Sequence, residues 1–95
     1  MPTYLRLVKL TEHGARNAER LGEFMADARK ILEKVGGKVV QAWATLGRYD
    51  FVAVWEAPDD KTAMVASGMI GTRGFVTAET LPAISSQELV EGLSP

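Results

Sequence analysis

The chain has 95 residues, eleven Lys and Arg against twelve Asp and Glu, a net charge of −1 and no cysteine. A chain of this length forms one compact domain that leaves much of its surface in water, so residues 1–95 are read as a single domain that self-association would help to bury. Interspersed charge excludes the basic stripe that grips nucleic acid, and the lack of cysteine excludes disulfides, thiolate nucleophiles and sulfur-ligated metals and fits a cytoplasmic protein.

The N-terminal run Met1 to Lys9 carries charges among its apolar residues and has no small-residue cleavage site, so it does not read as a signal peptide. The longest apolar run, Phe51 to Trp55, is too short to cross a membrane. Thr3 to Leu10 reads as the first strand, from its mix of β-formers and alternating polarity. From about Asn17 the period changes. Leu21, Phe24, Met25, Ala28, Ile31, Leu32 and Val35 recur at three- and four-residue spacing, the apolar stripe of an amphipathic helix, and Gly36-Gly37 stops it. Val39 to Leu46 and Phe51 to Trp55 are a second and third strand joined as a hairpin. Asp59 is set to cap a weaker helix over Lys61 to Ile70, Phe75 to Leu81 is a fourth strand, and Ser85-Ser86-Gln87-Glu88 caps a last short turn.

The order β-α-β-β-α-β is a split βαβ unit: an α+β, ferredoxin-like sandwich with a four-stranded antiparallel sheet and both helices on one face. An even-numbered hairpin loop sorts the side chains into two sets. Val40, Ala42, Ala44, Leu46, Tyr49, Phe51, Ala53 and Trp55 form the face under the helices, and Val39, Gln41, Trp43, Thr45, Asp50, Val52, Val54 and Glu56 form the other. The second set is too apolar for open water and too polar for a dry core. A homodimer, or a higher oligomer of dimers, supplies the missing second sheet and leaves a sheet-lined cleft suited to a small polar ligand. Arg6 and Glu79 are expected on that same open face, paired across it as a salt bridge or as polar groups of the cleft.

Four blocks carry a family likeness: Met1-Pro2-Thr3-Tyr4-Leu5 with Val8-Lys9-Leu10-Thr11; Gly14-Ala15-Arg16-Asn17; Thr45 through Ala53, containing Gly47-Arg48-Tyr49-Asp50; and Glu56-Ala57-Pro58-Asp59-Asp60. Together they resemble the GYD-domain family of small bacterial and archaeal proteins over nearly the whole chain. The resemblance implies a dimeric ferredoxin-like fold of the α/β-barrel type and carries no catalytic residues with it. Arg6 stands where the family would have an apolar residue. More distantly, the Gly-x-Tyr-Asp hairpin is similar to the effector-binding domain of leucine-responsive regulators. The same superfold hosts antibiotic-biosynthesis monooxygenases and muconolactone isomerases, but fold alone assigns no function.

Each candidate group has a structural and a chemical reading. Gly47 supplies the positive φ of a tight turn and Asp50 accepts backbone N–H groups. Alternatively, Arg48 forks onto a ligand carboxylate while Tyr49 and Asp50 take an amine or hydroxyl. Trp43 is an interface residue or a cleft wall. His13, the single histidine, sits in a polar segment after the first strand with no partner at useful spacing, and no metal site or cofactor is expected. The leading expectation is a non-catalytic homo-oligomeric module that binds a small polar ligand near Trp43, Arg48, Tyr49, Asp50 and Glu79. One rival is a cofactor-free isomerase or monooxygenase using His13, Arg6 and Glu79 in a buried pocket. Another is a purely structural subunit.

Overall fold

The computed structural model describes residues 1–94. Strand β1 (Thr3–Leu10) leads into a short helix α1 (Glu12–Arg16), a single 3-10 turn and the long helix α2 (Leu21–Lys34). The hairpin β2 (Lys38–Ala44) and β3 (Phe51–Glu56) follows, then α3 (Asp60–Gly71), β4 (Val76–Ala83) and α4 (Ser86–Leu93). The sheet is antiparallel throughout, in the order β2-β3-β1-β4, as the split βαβ reading requires.

The caps explain the boundaries. Thr11, in extended conformation, accepts the Gly14 N–H at 3.0 Å and starts α1 inside a segment whose sequence reads as a polar loop. The Asp59 carboxylate does the same for α3, accepting the Thr62 N–H at 2.8 Å. Ser85 and Glu88 form a reciprocal capping box, and the expected last turn becomes the eight-residue helix α4.

Alternate residues of a strand point to opposite faces, so the register fixes both faces. Under the helices lie the rows Val39–Trp55–Tyr4–Pro82, Ala42–Ala53–Arg6–Thr80 and Ala44–Phe51–Val8–Ala78. Tyr4, Val8, Trp55 and Val76 pack there against Ile31 and Leu32 of α2 and Ala63, Ala66 and Ile70 of α3. Full burial of a side chain such as Leu32 contributes roughly 1.5–3 kcal/mol. The even-numbered hairpin is observed: the Thr45 N–H donates to the Asp50 carbonyl at 2.9 Å and closes the loop. A β-bulge between Val39 and Gln41 shifts the register, so Val39 turns under the helices opposite Trp55 instead of joining the open face.

The open face carries the rows Trp43–Val52–Leu7–Glu79 and Gln41–Val54–Leu5–Leu81. Helix α4 buries none of its residues, and the molecule measures 53 × 30 × 17 Å. Its Leu89, Val90 and Leu93 are exposed. No helix among the described residues is long and apolar enough to cross a membrane.

Candidate functional site

Arg6 is where sequence and structure part. The expected pairing with Glu79 on the open face does not form: Leu7 is the residue opposite Glu79, and Arg6, opposite Thr80, points under the helices. It is 3% exposed, the one buried charged residue among those described. Its Nη1 donates to Ser67 Oγ of α3 at 2.6 Å and to Thr80 Oγ1 at 2.9 Å. The guanidinium lies over the Trp55 ring, 4.4 Å from the centroid, a cation–π contact strengthened by its dry surroundings. Burial pulls its pKa down to about 10, so it remains charged at neutral pH.

Small residues on either side of Arg6 leave space. Ala42 and Ala53 share its row, Ala28 of α2 lies above, and between α2 and the sheet opens a cavity of about 380 Å³. Phe24, Val39, Phe51 and Trp55 supply its apolar walls, while Met25 and Arg29 stand at its exposed mouth. No carboxylate lines it. In size and lining it matches ordinary small-molecule sites.

A second depression, of about 210 Å³, lies on the open face and gathers Lys9, Arg48, Tyr49 and Glu79. Sequence parity assigns Tyr49 to the face under the helices, but the loop turns its ring outward. The Tyr49 hydroxyl donates to Glu79 Oε2 at 2.6 Å, and that bond to a carboxylate raises the tyrosine pKa. Gly47, at φ +102°, supplies the left-handed turn that brings Arg48 and Tyr49 back over the sheet. Asp50 has a structural job beyond its own loop: its Oδ2 accepts the Leu10 N–H at 2.8 Å where β1 ends, and its N–H donates to the Val8 carbonyl. Trp43 shares the row of Glu79 but stands at the other end of it, half-exposed on the edge strand.

His13 lies on α1, edge-on to Phe75 with ring centroids 6.2 Å apart, and lines a third depression with Asn17, Arg20 and Arg73. The structure therefore brings Arg48, Tyr49 and Glu79 together and puts Arg6, Glu79 and His13 in three separate depressions. The Arg6 cavity escapes a reading of the sequence. Its signal is the parity of Arg6 with Tyr4 and Val8, but Leu5 and Leu7 make the opposite face of β1 equally apolar.

Comparison with known proteins agrees with this architecture. The GYD domain matches residues 4–93. A protein of Thermus thermophilus named "Glutamine synthetase and cystathionine beta-lyase binding protein" is 38% identical over 94 residues, covering 98% of this chain and 99% of the relative. The crystal structure of TTHA0845 from the same organism superposes with a TM-score of 0.58 at 19% identity, over 90% of this chain and 96% of that one. The crystal structure of FFRP-DM1 gives 0.59 at 20% identity, over 88% and 100%. At those identities the two structures speak for the fold alone. With four antiparallel strands in ferredoxin-like order and a family match running nearly from end to end, the chain belongs to the GYD-domain family.

Proposed function

We propose that this protein is a non-catalytic protein-binding module, one domain over its whole length, that self-associates through the open face of its sheet and docks on an enzyme of amino-acid metabolism. The observation that carries the reading is the 38% identity, over almost the full length of both chains, to a protein named for binding glutamine synthetase and cystathionine β-lyase. The geometry supplies surfaces for it. The rows Trp43–Val52–Leu7 and Val54–Leu5–Leu81 form an apolar centre with polar groups at its margin, the anatomy of an interface between two sheets. Helix α4 adds an uncovered stripe of Leu89, Val90 and Leu93. A cytoplasmic location is the part of the proposal that goes with partners of that kind.

A small polar ligand at the subunit junction is a second element of the proposal. It rests on the depression beside Lys9, Arg48, Tyr49 and Glu79 at the margin of the apolar rows, where a cationic fork and a Tyr–Glu pair offer donors and an acceptor together.

The test is direct mixing of the purified chain with purified glutamine synthetase and, separately, with cystathionine β-lyase from its own source organism, followed by size-exclusion chromatography with light scattering. A stoichiometric complex, together with a dimeric or larger mass for the chain alone, is the expected outcome. A chain that stays monomeric and elutes apart from both glutamine synthetase and cystathionine β-lyase refutes the proposal.

A further inference from the structure

We infer that the cavity between α2 and the sheet is a binding site for a small monocarboxylate with an apolar body, the carboxylate held by Arg6 and the body by Phe24, Phe51 and Trp55. The inference stands apart from protein docking and from the open-face depression, because the cavity lies on the opposite side of the sheet.

A buried cation is expensive unless it is paired. Arg6 makes hydrogen bonds to Ser67 and Thr80 and lies on the face of Trp55, all of them neutral groups, and it is absent from the ion pairs of the described residues. Both of its hydrogen bonds leave from Nη1. Neither Nε nor Nη2 counts among buried atoms without a partner, so their N–H groups keep accessible surface, and the space Arg6 lines is this cavity. The held Nη1 fixes the plane of the fork and leaves its other edge for a planar, two-oxygen acceptor, which is a carboxylate. The sign of the site is single. Arg6 at the floor and Arg29 at the exposed mouth are its charged side chains, with no acid among the lining residues. One buried guanidinium suits a monoanion, and walls of Phe, Val, Ala and Trp select a hydrocarbon or aromatic body.

Octanoate is the probe, with octanamide as its uncharged counterpart, followed by calorimetry and by tryptophan fluorescence, since Trp43 and Trp55 both line the cavity. Octanoate is expected to bind at least tenfold more tightly than octanamide. Arg6→Met should abolish that preference. The variant leaves no orphaned hydroxyl, because Ser67 Oγ and Thr80 Oγ1 already lie 3.1 Å apart and bond each other. Ala28→Phe fills the cavity from α2 while the guanidinium of Arg6 is retained, and should block octanoate while the circular dichroism stays unchanged. Equal affinity for the two probes, a preference that survives Arg6→Met, or no octanoate binding by the folded parent at millimolar concentration would overturn the inference. If Arg6→Met does not fold, Ala28→Phe decides: octanoate binding retained there refutes the site, and binding lost supports it.

Discussion

Replacing Gly14 by alanine adds one methyl group where α1 meets the start of β4, and the structure leaves no room for it. A Cβ at Gly14 would sit 2.1 Å from the Phe75 carbonyl oxygen and 3.2 Å from Leu10 Cδ2. The obstacle is backbone, and it is held in place: the Thr11 N–H donates to that carbonyl at 3.1 Å, and the Thr11 hydroxyl donates to the adjacent Gly74 carbonyl at 2.7 Å. To admit the methyl, α1 must lift off β4. Overpacking of this kind costs about 1–3 kcal/mol. Each hydrogen bond loosened adds about 1 kcal/mol, and the better helix propensity of alanine returns about 1 kcal/mol. The net loss is about 2 kcal/mol, which in a domain this small lowers the melting midpoint by roughly 10 °C. Gly68, inside α3 with nothing within 4 Å of its virtual Cβ, is the matched control. Gly68→Ala should raise the midpoint by about 4–8 °C for the roughly 1 kcal/mol of helix propensity gained. Thermal denaturation followed at the helical band reads both. A Gly14→Ala protein as stable as its parent would refute the close approach and leave the Gly14-Ala15-Arg16-Asn17 block without its physical reason.

Trp43→Glu puts a charge into the apolar row of the open face and should shift the population toward monomer in light scattering at micromolar concentration; an unchanged mass would remove that face from the proposed interface. Asp50→Ala leaves the Leu10 N–H without its 2.8 Å acceptor and should cost about 1–3 kcal/mol in chemical denaturation, whereas an unaltered midpoint would return Asp50 to the ligand contacts. Alkaline pH should destabilise the fold through Tyr4. Its bond to the Asp60 carboxylate, 2.6 Å long, raises the pKa from 10.0 to about 12, so the stabilisation is complete below pH 10 and is lost as pH climbs toward 12. Tyr4→Phe should flatten that alkaline limb, and a limb of unchanged slope would contradict the assignment.

The parts of the fold that are legible in the sequence are those governed by local periodicity and caps. The stripe from Leu21 to Val35 becomes α2, Asp59 caps α3, and the even-numbered hairpin with Gly47 at positive φ is present. Helix α1 is hidden because Glu12-His13-Gly14-Ala15-Arg16 has no apolar period; it exists because Thr11 caps it and Gly14 lets it approach Phe75. The candidate site is legible in part. Arg48 and Tyr49 are found from their turn, but the face of Tyr49 depends on how the loop closes. The attraction of a charge for Glu79 suggests the open face for Arg6, while its true place follows from strand pairing across β1 and β4. The cavity is beyond reach, since it arises from small side chains on elements far apart in the chain, Ala28, Ala42 and Ala53.

The bulge at Val40 and the proline at position 82 share a consequence for how this sheet meets other chains. Strands β2 and β4 are the two edges, each with unpaired backbone groups that could template a further strand. On β2 the bulge breaks the even spacing of donors and acceptors, and on β4 Pro82 offers no N–H at all. Neither edge makes a good seed for end-to-end strand addition. Growth by edge pairing has no natural stopping point, whereas contact between faces closes after one round, so the proposed association through the apolar face would give a finite assembly where pairing of unblunted edges would give fibres.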